Sequence, residues 1–491
     1  MSAQAVIAAN RFGLGARPGE IVAIGGDAHG WLRAQLVPER VLPAPFAALP
    51  STADDLAEFQ KWLVDLAASG RAPQTAMEEG ASDAAPARAT GVESEFRRRF
   101  GPRYAAALKA RFDVAINTTR PFFERLVHFW SNHFVVSGTK PSAVALPPSF
   151  ERDAIRPHVA GRFVDMLLAS SKHPAMLVYL DNVNSVGPAS QVGRNPDLRR
   201  AFAAQAFIPA RGTGLNENLG REILELHTLG VRSGYTQADV TNFARVLTGW
   251  TVARPPRVRG AQLAVRRQSA LGLFDFDPDA HEPGVHVVLG RAYAQQNEAQ
   301  GEAVLRDLVR LPVTAEFIAR KLARHFIADH PPREAVARLA QVFLDTDGDL
   351  AQVGMALIDL PQAWAHSPRK FKTPEEYLVS ALRALPGLEL DGTQLASAVT
   401  ALGQPPYRAP GPNGWPDVES EWLGPDAVWK RFQWANETAR RAAASVPDPE
   451  WLALDVLGAS LGSETRSAIQ RADSAVQGLT LLLASAEFQR R

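Results

Sequence analysis

The chain has 491 residues, of which 46% are hydrophobic and 21% charged, a composition typical of soluble globular proteins. Its net charge of +1 argues against a dedicated nucleic-acid-binding protein, which normally carries a strong basic excess. Cysteine is absent, which excludes thiolate metal sites, iron–sulfur clusters, thioether-attached haem and cysteine nucleophiles. Any metal must therefore be bound by histidine, carboxylate, amide or carbonyl groups.

The first ninety residues predict a helical segment and then a linker. Apolar positions recur at helical spacing in residues 1–69, most clearly from Asp54 to Ala68. Residues 70–92 are small, polar and proline-bearing, which indicates a flexible linker or insertion. The start of the chain does not resemble a secretory signal, and no run approaches the roughly 20 apolar residues of a membrane span. We expect cytoplasmic residence by default, with export alongside a signal-bearing partner as the alternative.

Residues 93–250 predict a helical core. A long helix is followed by a second one that begins at Pro121 and carries the sequence FFERLVHFWSNHFVV. A helical wheel places His133 at the edge of its apolar stripe. His128 lies roughly 140° away on the polar side, so we do not expect the two histidines to share an ion.

The stretch NENLGREILELHTLG, from Asn216 to Gly230, predicts a helix with an unusual density of charge. On a wheel, Glu217, Arg221, Glu222 and Glu225 occupy one arc, and His227 lies among leucines on the other. One interpretation is a solvated ladder of ion pairs at i, i+4 spacing, worth about 0.2–0.5 kcal/mol per pair. The other is a helix that lines a functional site.

Residues 251–293 change to alternating polar and apolar positions with turn signals, which predicts a small β-hairpin. Pro283 and Gly284 fit the centre of a type II turn. That turn would place His281 and His286 on opposite strands, close enough to form half of a metal site.

The remaining residues, 294–491, predict a C-terminal helical region that includes a tryptophan-rich loop. The sequence as a whole therefore predicts a mainly α, large multi-helix globular protein, with a small β-hairpin insertion around residues 270–292. The predicted boundaries divide the chain into an N-terminal helical segment (1–69), a linker (70–92), a helical core (93–250), a hairpin segment (251–293) and a C-terminal helical region (294–491).

Several of these motifs together resemble one bacterial family, the "domain of unknown function 1800". They are RFGLGARPGE, FWSNHF, NENLGREILELHTLGV with GYTQADVTNFARVLTGWT, TAEFIARKLARHFIADHPP and LGQPPYRAPGPNGWPD. The resemblance implies a predominantly helical protein, and many relatives are exported. It also implies a candidate partner protein encoded by a neighbouring gene, and no established activity. Both faces of the charged helix belong to the motif, which favours the site-lining interpretation. A basic residue is usual where His286 stands.

The leading functional hypothesis is a metal-dependent enzyme, either a hydrolase or an oxidoreductase. We expect His133, Glu222 and His281 as ligands of a divalent transition metal, zinc or iron. Glu217, Arg221 and His227 are the candidate catalytic residues, with Arg221 as an electrostatic partner and His227 either as a residue that supports a metal ligand or as a proton carrier. Two alternatives remain: a non-catalytic helical scaffold that binds a partner protein, and a metal-free polymer hydrolase that uses Glu217 and Glu225 as an acid–base pair.

Overall fold

The computed structural model describes residues 2–68, 91–140, 143, 145–204, 214–253, 273–365, 370–446 and 448–491. Most of these residues are helical, and the only strands among them form two small antiparallel sheets of two strands each. The predicted fold class is therefore confirmed. Residues 70–90 of the predicted linker lie outside the described residues, and residues 91 and 92 begin a helix.

The α-helices of the described residues are numbered in chain order. Those before residue 250 are α1 Ala3–Ile7, α2 Glu20–Ile24, α3 Ala28–Arg33, α4 Ala44–Ala47, α5 Thr52–Ala68, α6 Gly91–Asn117, α7 Pro121–His133, α8 Pro147–Phe150, α9 Phe163–Lys172, α10 Pro174–Tyr179, α11 Gln191–Arg194, α12 Pro196–Ala204, α13 Asn218–Glu222 and α14 Gln237–Leu247. Those after it are α15 Glu298–Val309, α16 Pro312–Phe326, α17 Arg333–Asp345, α18 Leu350–Asp359, α19 Pro374–Ala384, α20 Gly392–Ala401, α21 Pro425–Ala442, α22 Pro449–Leu457, α23 Ser463–Gln470, α24 Ala475–Ala484 and α25 Ala486–Gln489.

Shorter helical turns of two other kinds punctuate these helices. The π-helical turns are Ala8–Phe12, Glu151–Ile155 and Ile223–Thr228, and the 3-10 turns are Arg156–His158, Asn182–Asn184, Pro361–Trp364, Glu419–Glu421 and Gly458–Ser460. The π-helical turn Ile223–Thr228 continues directly from α13 and widens the charged helix. A wheel drawn at 100° per residue therefore does not describe that helix beyond Glu222.

The predicted hairpin exists, but its turn lies at a different place. Strand β1 (Trp250–Val252) pairs with β2 (Phe274–Phe276), and β3 (His286–Val288) pairs with β4 (Arg291–Tyr293). The β3–β4 turn is Leu289-Gly290, where both residues have positive φ, 51° and 75°. This is the backbone of a two-residue primed turn, which matches the twist of the flanking strands. The prediction that Pro283-Gly284 forms the hairpin turn is therefore wrong. His286 pairs with Tyr293, and not with His281.

One continuous hydrophobic core runs from Ala5 to Phe488 and includes residues of most helices. Helix α16 packs along α17, and α21 packs along α24. Within the described ranges, no helix combines the length and apolar character needed to cross a lipid bilayer. The division of the chain at the predicted boundaries stays a prediction.

Three helix ends and one loop position the candidate site. Helix α7 begins at Pro121 and α16 at Pro312, and in each helix proline occupies the first turn, where its missing N–H costs nothing. Helix α19 begins with a capping box between Thr373 and Glu376, which fixes the Glu376 side chain at the helix start. The loop of residues 404–417 lies against α7 because Asn132 bonds the backbone N–H and C=O of Trp415.

Candidate functional site

A cleft of about 350 Å³ opens between α7, α16, α19 and the loop of residues 404–417. We call it the polar cleft, because an unusual number of ionisable side chains line it. They are Arg111, His128, His133, Glu151, Lys321, Arg324, His325, Glu375, Glu376, Tyr407 and Asp417. Clusters of buried ionisable groups in a cleft are characteristic of functional sites, although structural ion-pair networks also produce them.

An aspartate orients one histidine of the polar cleft. Nδ1 of His325 lies 2.8 Å from Oδ2 of Asp417. Although burial raises the pKa of Asp417, His325 and Lys370 hold it well below its usual range, so this carboxylate can only accept a hydrogen bond. Nδ1 of His325 must then carry the proton, and Nε2 of the neutral ring keeps its lone pair.

The other nitrogen of His325 has no partner in the described part of the chain. Nε2 is buried and has no hydrogen-bond partner among the described residues, and its nearest carboxylate oxygen, on Glu376, is 3.9 Å away. Burial lowers the pKa of His325, and this effect outweighs the nearby Asp417 carboxylate. The ring is therefore neutral at pH 7 and can accept a proton at Nε2.

Lys321 lies one helical turn before His325, on the same side of α16. Its amine lies 5.7 Å from the centre of the Phe317 ring and makes no hydrogen bond or ion pair within the described part of the chain. Burial lowers the pKa of this amine to about 8, so most of it is protonated at pH 7. The Asp417 carboxylate acts on this amine without forming an ion pair with it, so the ammonium is still open to an anionic ligand.

A second histidine belongs to a buried network on the α7 side. Nδ1 of His128 lies 3.3 Å from Oε1 of Glu375, which also receives a bond from Arg111. Arg111 bonds both oxygens of Glu151, at 3.1 and 2.8 Å. Burial and the surrounding arginines, Arg111 first among them, lower the pKa of His128 well below its usual value.

Glu376 pairs with two arginines at the floor of the polar cleft. Its Oε1 lies 2.5 Å from Nη1 of Arg125 and 2.9 Å from Nη2 of Arg491. The side chains of Arg125 and Arg491 are only 2% and 0% exposed, so neither guanidinium has water to replace the carboxylate. Burial raises the pKa of Glu376, but the two arginines dominate and keep it far below its usual range.

Several polar atoms around the polar cleft lack a hydrogen-bond partner among the described residues. They are His128 Nε2, Ser131 Oγ, His133 Nδ1, His325 Nε2 and Tyr407 Oη. Buried polar groups are normally satisfied, and each exception costs about 1–3 kcal/mol. A ligand or water bound in the cleft would supply the missing bonds of these five atoms.

Tyr407 adopts a backbone conformation that aromatic residues rarely take. Its φ is 53°, in the left-handed region, which costs about 1–3 kcal/mol for a residue other than glycine. The surroundings hold it there, because its carbonyl accepts from Gly138 N at 2.8 Å and its ring packs under the Arg111 guanidinium at 5.3 Å. Backbone strain of this kind concentrates at ligand-binding sites.

The structure places the predicted catalytic residues Glu217 and Arg221 on the surface, away from the polar cleft. Their side chains are 29% and 38% exposed and form an ion pair at 3.1 Å. Glu217 also accepts bonds from Thr241 and Gln237, and the Thr241 bond contributes most to lowering its pKa. These contacts match the first interpretation of this helix, a solvent-exposed ladder of ion pairs.

The structure brings His133 and His227 together. Nε2 of His133 lies 3.1 Å from the backbone oxygen of His227, and the two ring centres are 6.2 Å apart. Burial lowers the pKa of both rings, that of His227 to about 3. Of the two, only His133 lines the polar cleft, where the charged helix contributes Leu226.

The other two predicted ligands, Glu222 and His281, form no three-ligand group with His133 among the described residues. Burial, reinforced by Glu225, raises the pKa of Glu222 to about 7. Nδ1 of His281 bonds the backbone oxygen of Thr248 at 2.8 Å. Among the described residues, no three histidine, aspartate or glutamate side chains are grouped so that they could hold a metal ion.

The residues that line the polar cleft were mostly absent from the sequence-based prediction. Lys321, His325, Glu375, Glu376 and Asp417 come from segments far apart in the chain, and no spacing rule connects them. The available signal was the set of motifs that resemble one family. FWSNHF, TAEFIARKLARHFIADHPP and LGQPPYRAPGPNGWPD each contribute residues to this cleft.

Comparison with known proteins gives a family but no function. Residues 7–490 match the model of a family described as "Protein of unknown function (DUF1800)". No curated protein and no solved structure matches the chain.

Proposed function

This chain belongs to the DUF1800 family, and we propose that it is an enzyme whose polar cleft performs general acid–base catalysis on a small anionic substrate. His325 is the base, and Asp417 is its orienting partner. Lys321 binds the anionic group of the substrate.

One observation carries this proposal. Nε2 of His325 is buried without a partner while Asp417 fixes the ring from the other side at 2.8 Å. A base that a third group orients is the arrangement that enzymes use for proton transfer. Within the described ranges, His227 Nδ1 and His286 Nε2 are also buried without a partner, so the Asp417 contact and the place of His325 in the cleft beside Lys321 are what distinguish it.

The proton transfer follows from the chemistry of these groups. A C–H or O–H group of the substrate gives its proton to Nε2 of His325, and the electron pair stays on the substrate. The ring becomes an imidazolium, and Asp417 stabilises its new charge without taking the proton. The ammonium of Lys321 holds a carboxylate or phosphate of the substrate and stabilises negative charge that develops nearby.

The test is a turnover screen with matched variants. Purified protein is incubated with a pool of small carboxylates and phosphates, and mass spectrometry follows their consumption. We expect His325→Gln to slow any turnover by about 10²–10⁴-fold, the usual contribution of general acid–base catalysis. His330→Gln is the control, because His330 is an exposed histidine close by in the chain. Equal turnover by both variants would refute the assignment.

A further inference from the structure

A second cavity, of about 590 Å³, lies beside the polar cleft and has a different character. Its walls come mainly from α6, α20 and the loop of residues 404–417, and the apolar residues among them include Phe96, Phe100, Ala107, Ala396, Pro405 and Pro410. The rings of Phe96 and Phe100 stack at 4.6 Å and form one side. We call this space the apolar cavity. Its apolar walls suit a hydrocarbon group, although Asp55, Arg103, Arg152 and Arg408 also line it.

A single loop separates the two spaces. Gln404, Tyr407 and Ala409 face the polar cleft, whereas the alternate residues Pro405, Arg408 and Pro410 face the apolar cavity. Trp415 lines both. Trp415 is therefore a wall residue of both spaces, and the strained Tyr407 belongs to the loop between them.

The dividing loop is fixed at its centre. The hydroxyl of Tyr104 donates to the carbonyl of Pro406 at 2.6 Å, and the Tyr104 and Tyr407 rings pack edge to face at 6.4 Å. These contacts hold the wall against α6. The apolar cavity is therefore a formed feature beside the reactive groups, as expected of a specificity pocket.

We propose that the substrate is an amphipathic anion, with its acidic group beside Lys321 in the polar cleft and its apolar group in the apolar cavity. This inference rests on the proposed function, because it takes the polar cleft as the place of reaction. It adds the substrate class, a carboxylate or phosphate with a hydrocarbon portion.

The orientation of the substrate follows from the cations in the two spaces. In the apolar cavity, Arg103 pairs with Asp55 at 2.9 Å and Arg152 pairs with Asp153 at 2.6 Å. Arg408 is exposed, so water already solvates it. Lys321 and Arg324 are the partly buried cations of the polar cleft that form no ion pair within the described residues, and we place the anionic group at Lys321 because it lies one turn from His325.

The first experiment measures affinity against chain length by calorimetry with the full chain, and it needs no turnover. The probes are straight-chain carboxylates from butyrate to octanoate, and alkyl phosphates of the same lengths to show which acidic group is preferred. We expect each added methylene to tighten binding, by up to about fourfold. Affinity that does not change with chain length would overturn the proposal.

Variants then locate the two ends of the probe. Ala396→Phe should fill the apolar cavity and abolish the gain with chain length while butyrate still binds. Ser397→Phe is the control, because Ser397 is exposed on the same helix and does not line the cavity. Lys321→Met should weaken octanoate at least about tenfold, and Arg408→Met should not. Octanoate binding that depends on Arg408 and ignores Lys321 would overturn the orientation.

The pH dependence of binding and the turnover of His325→Gln give two further tests. If Lys321→Met does not fold, the wild type alone answers the question, since octanoate affinity should fall above about pH 8 as the amine loses its proton. Unchanged affinity from pH 7 to pH 10 would overturn the role of Lys321. If octanoate binds as expected but His325→Gln retains full turnover, the binding site stands and the proposed chemistry fails.

Discussion

Glu376→Gln removes one charge from the floor of the polar cleft and leaves almost everything else in place. Glutamine has the same shape as glutamate, and it also serves at this position of a capping box, so the start of α19 is preserved. The variant leaves Arg125 buried without its carboxylate and leaves Arg491 with only the more distant Asp417, at 3.9 Å. Breaking a buried ion pair by removing one partner costs about 3–5 kcal/mol.

The size of this loss translates into a change of melting temperature. With about 2.1 cal/mol/K per residue, the unfolding entropy of 491 residues is about 1 kcal/mol/K. We therefore expect the midpoint of thermal unfolding to fall by about 3–5 °C at pH 7. Differential scanning calorimetry of the variant and the wild type measures the shift.

The difference in melting temperature between Glu376→Gln and the wild type should become smaller at acid pH. A surface variant provides the control. The pKa of Glu376 is lowered in the folded protein, so its contribution is complete above the unfolded value of about 4.3 and is lost as pH falls toward the folded value. Glu316→Gln makes the same chemical change in an exposed ion pair with Arg320, and we expect it to lower the melting temperature by under about 1 °C. Equal shifts for the two variants would refute the reasoning.

Four further outcomes follow from the same contacts. Asp417→Asn should reduce turnover by about 10²–10⁴-fold with little change in KM, because the amide no longer fixes the His325 ring; a change in KM alone would assign Asp417 to binding. In Lys321→Met, the affinity for butyrate should not change between pH 7 and pH 9, whereas that of the wild type falls as the amine loses its proton; parallel curves would contradict the role of Lys321. Glu217→Ala should cost under about 1 kcal/mol and leave turnover unchanged, because Glu217 lies in a surface ion pair; loss of turnover would favour the sequence-based assignment. Elemental analysis tests the metal hypothesis: one transition metal per chain in the wild type, lost in the double variant Glu222→Ala, His281→Ala, would support it, and an equal metal content in both proteins would contradict the assigned ligands.

The fold could be predicted from sequence because local signals determine it. The helices α5, α6 and α7 begin and end close to where apolar spacing and Pro121 place them. Thr236 and Asp239 have the spacing of a capping box in the sequence, and they form one at the start of α14. The predicted position of the hairpin turn was wrong because Pro283-Gly284 is a stronger turn sequence than Leu289-Gly290. In the structure, Leu289-Gly290 joins the paired strands.

The site could not be predicted, because it depends on contacts between distant segments. His128 was set aside for lying on the polar face of α7, yet that face turns toward an internal cleft. The polar side of a helix in a protein of this size can face a buried network as well as solvent. The density of carboxylates on the charged helix favoured a functional site there, but Glu217 and Arg221 lie at the surface. Partner, metal and compartment stay predictions.

The most direct test of the central claim is the protonation state of His325, measured by nitrogen NMR of histidine-labelled protein during a pH titration. His325→Gln assigns the signals. We expect a neutral ring at pH 7, protonated at Nδ1 and unprotonated at Nε2, with a pKa below its usual value. A doubly protonated ring at pH 7 would contradict the account, because His325 would then be a structural cation between Asp417 and Glu376 and could not accept a proton.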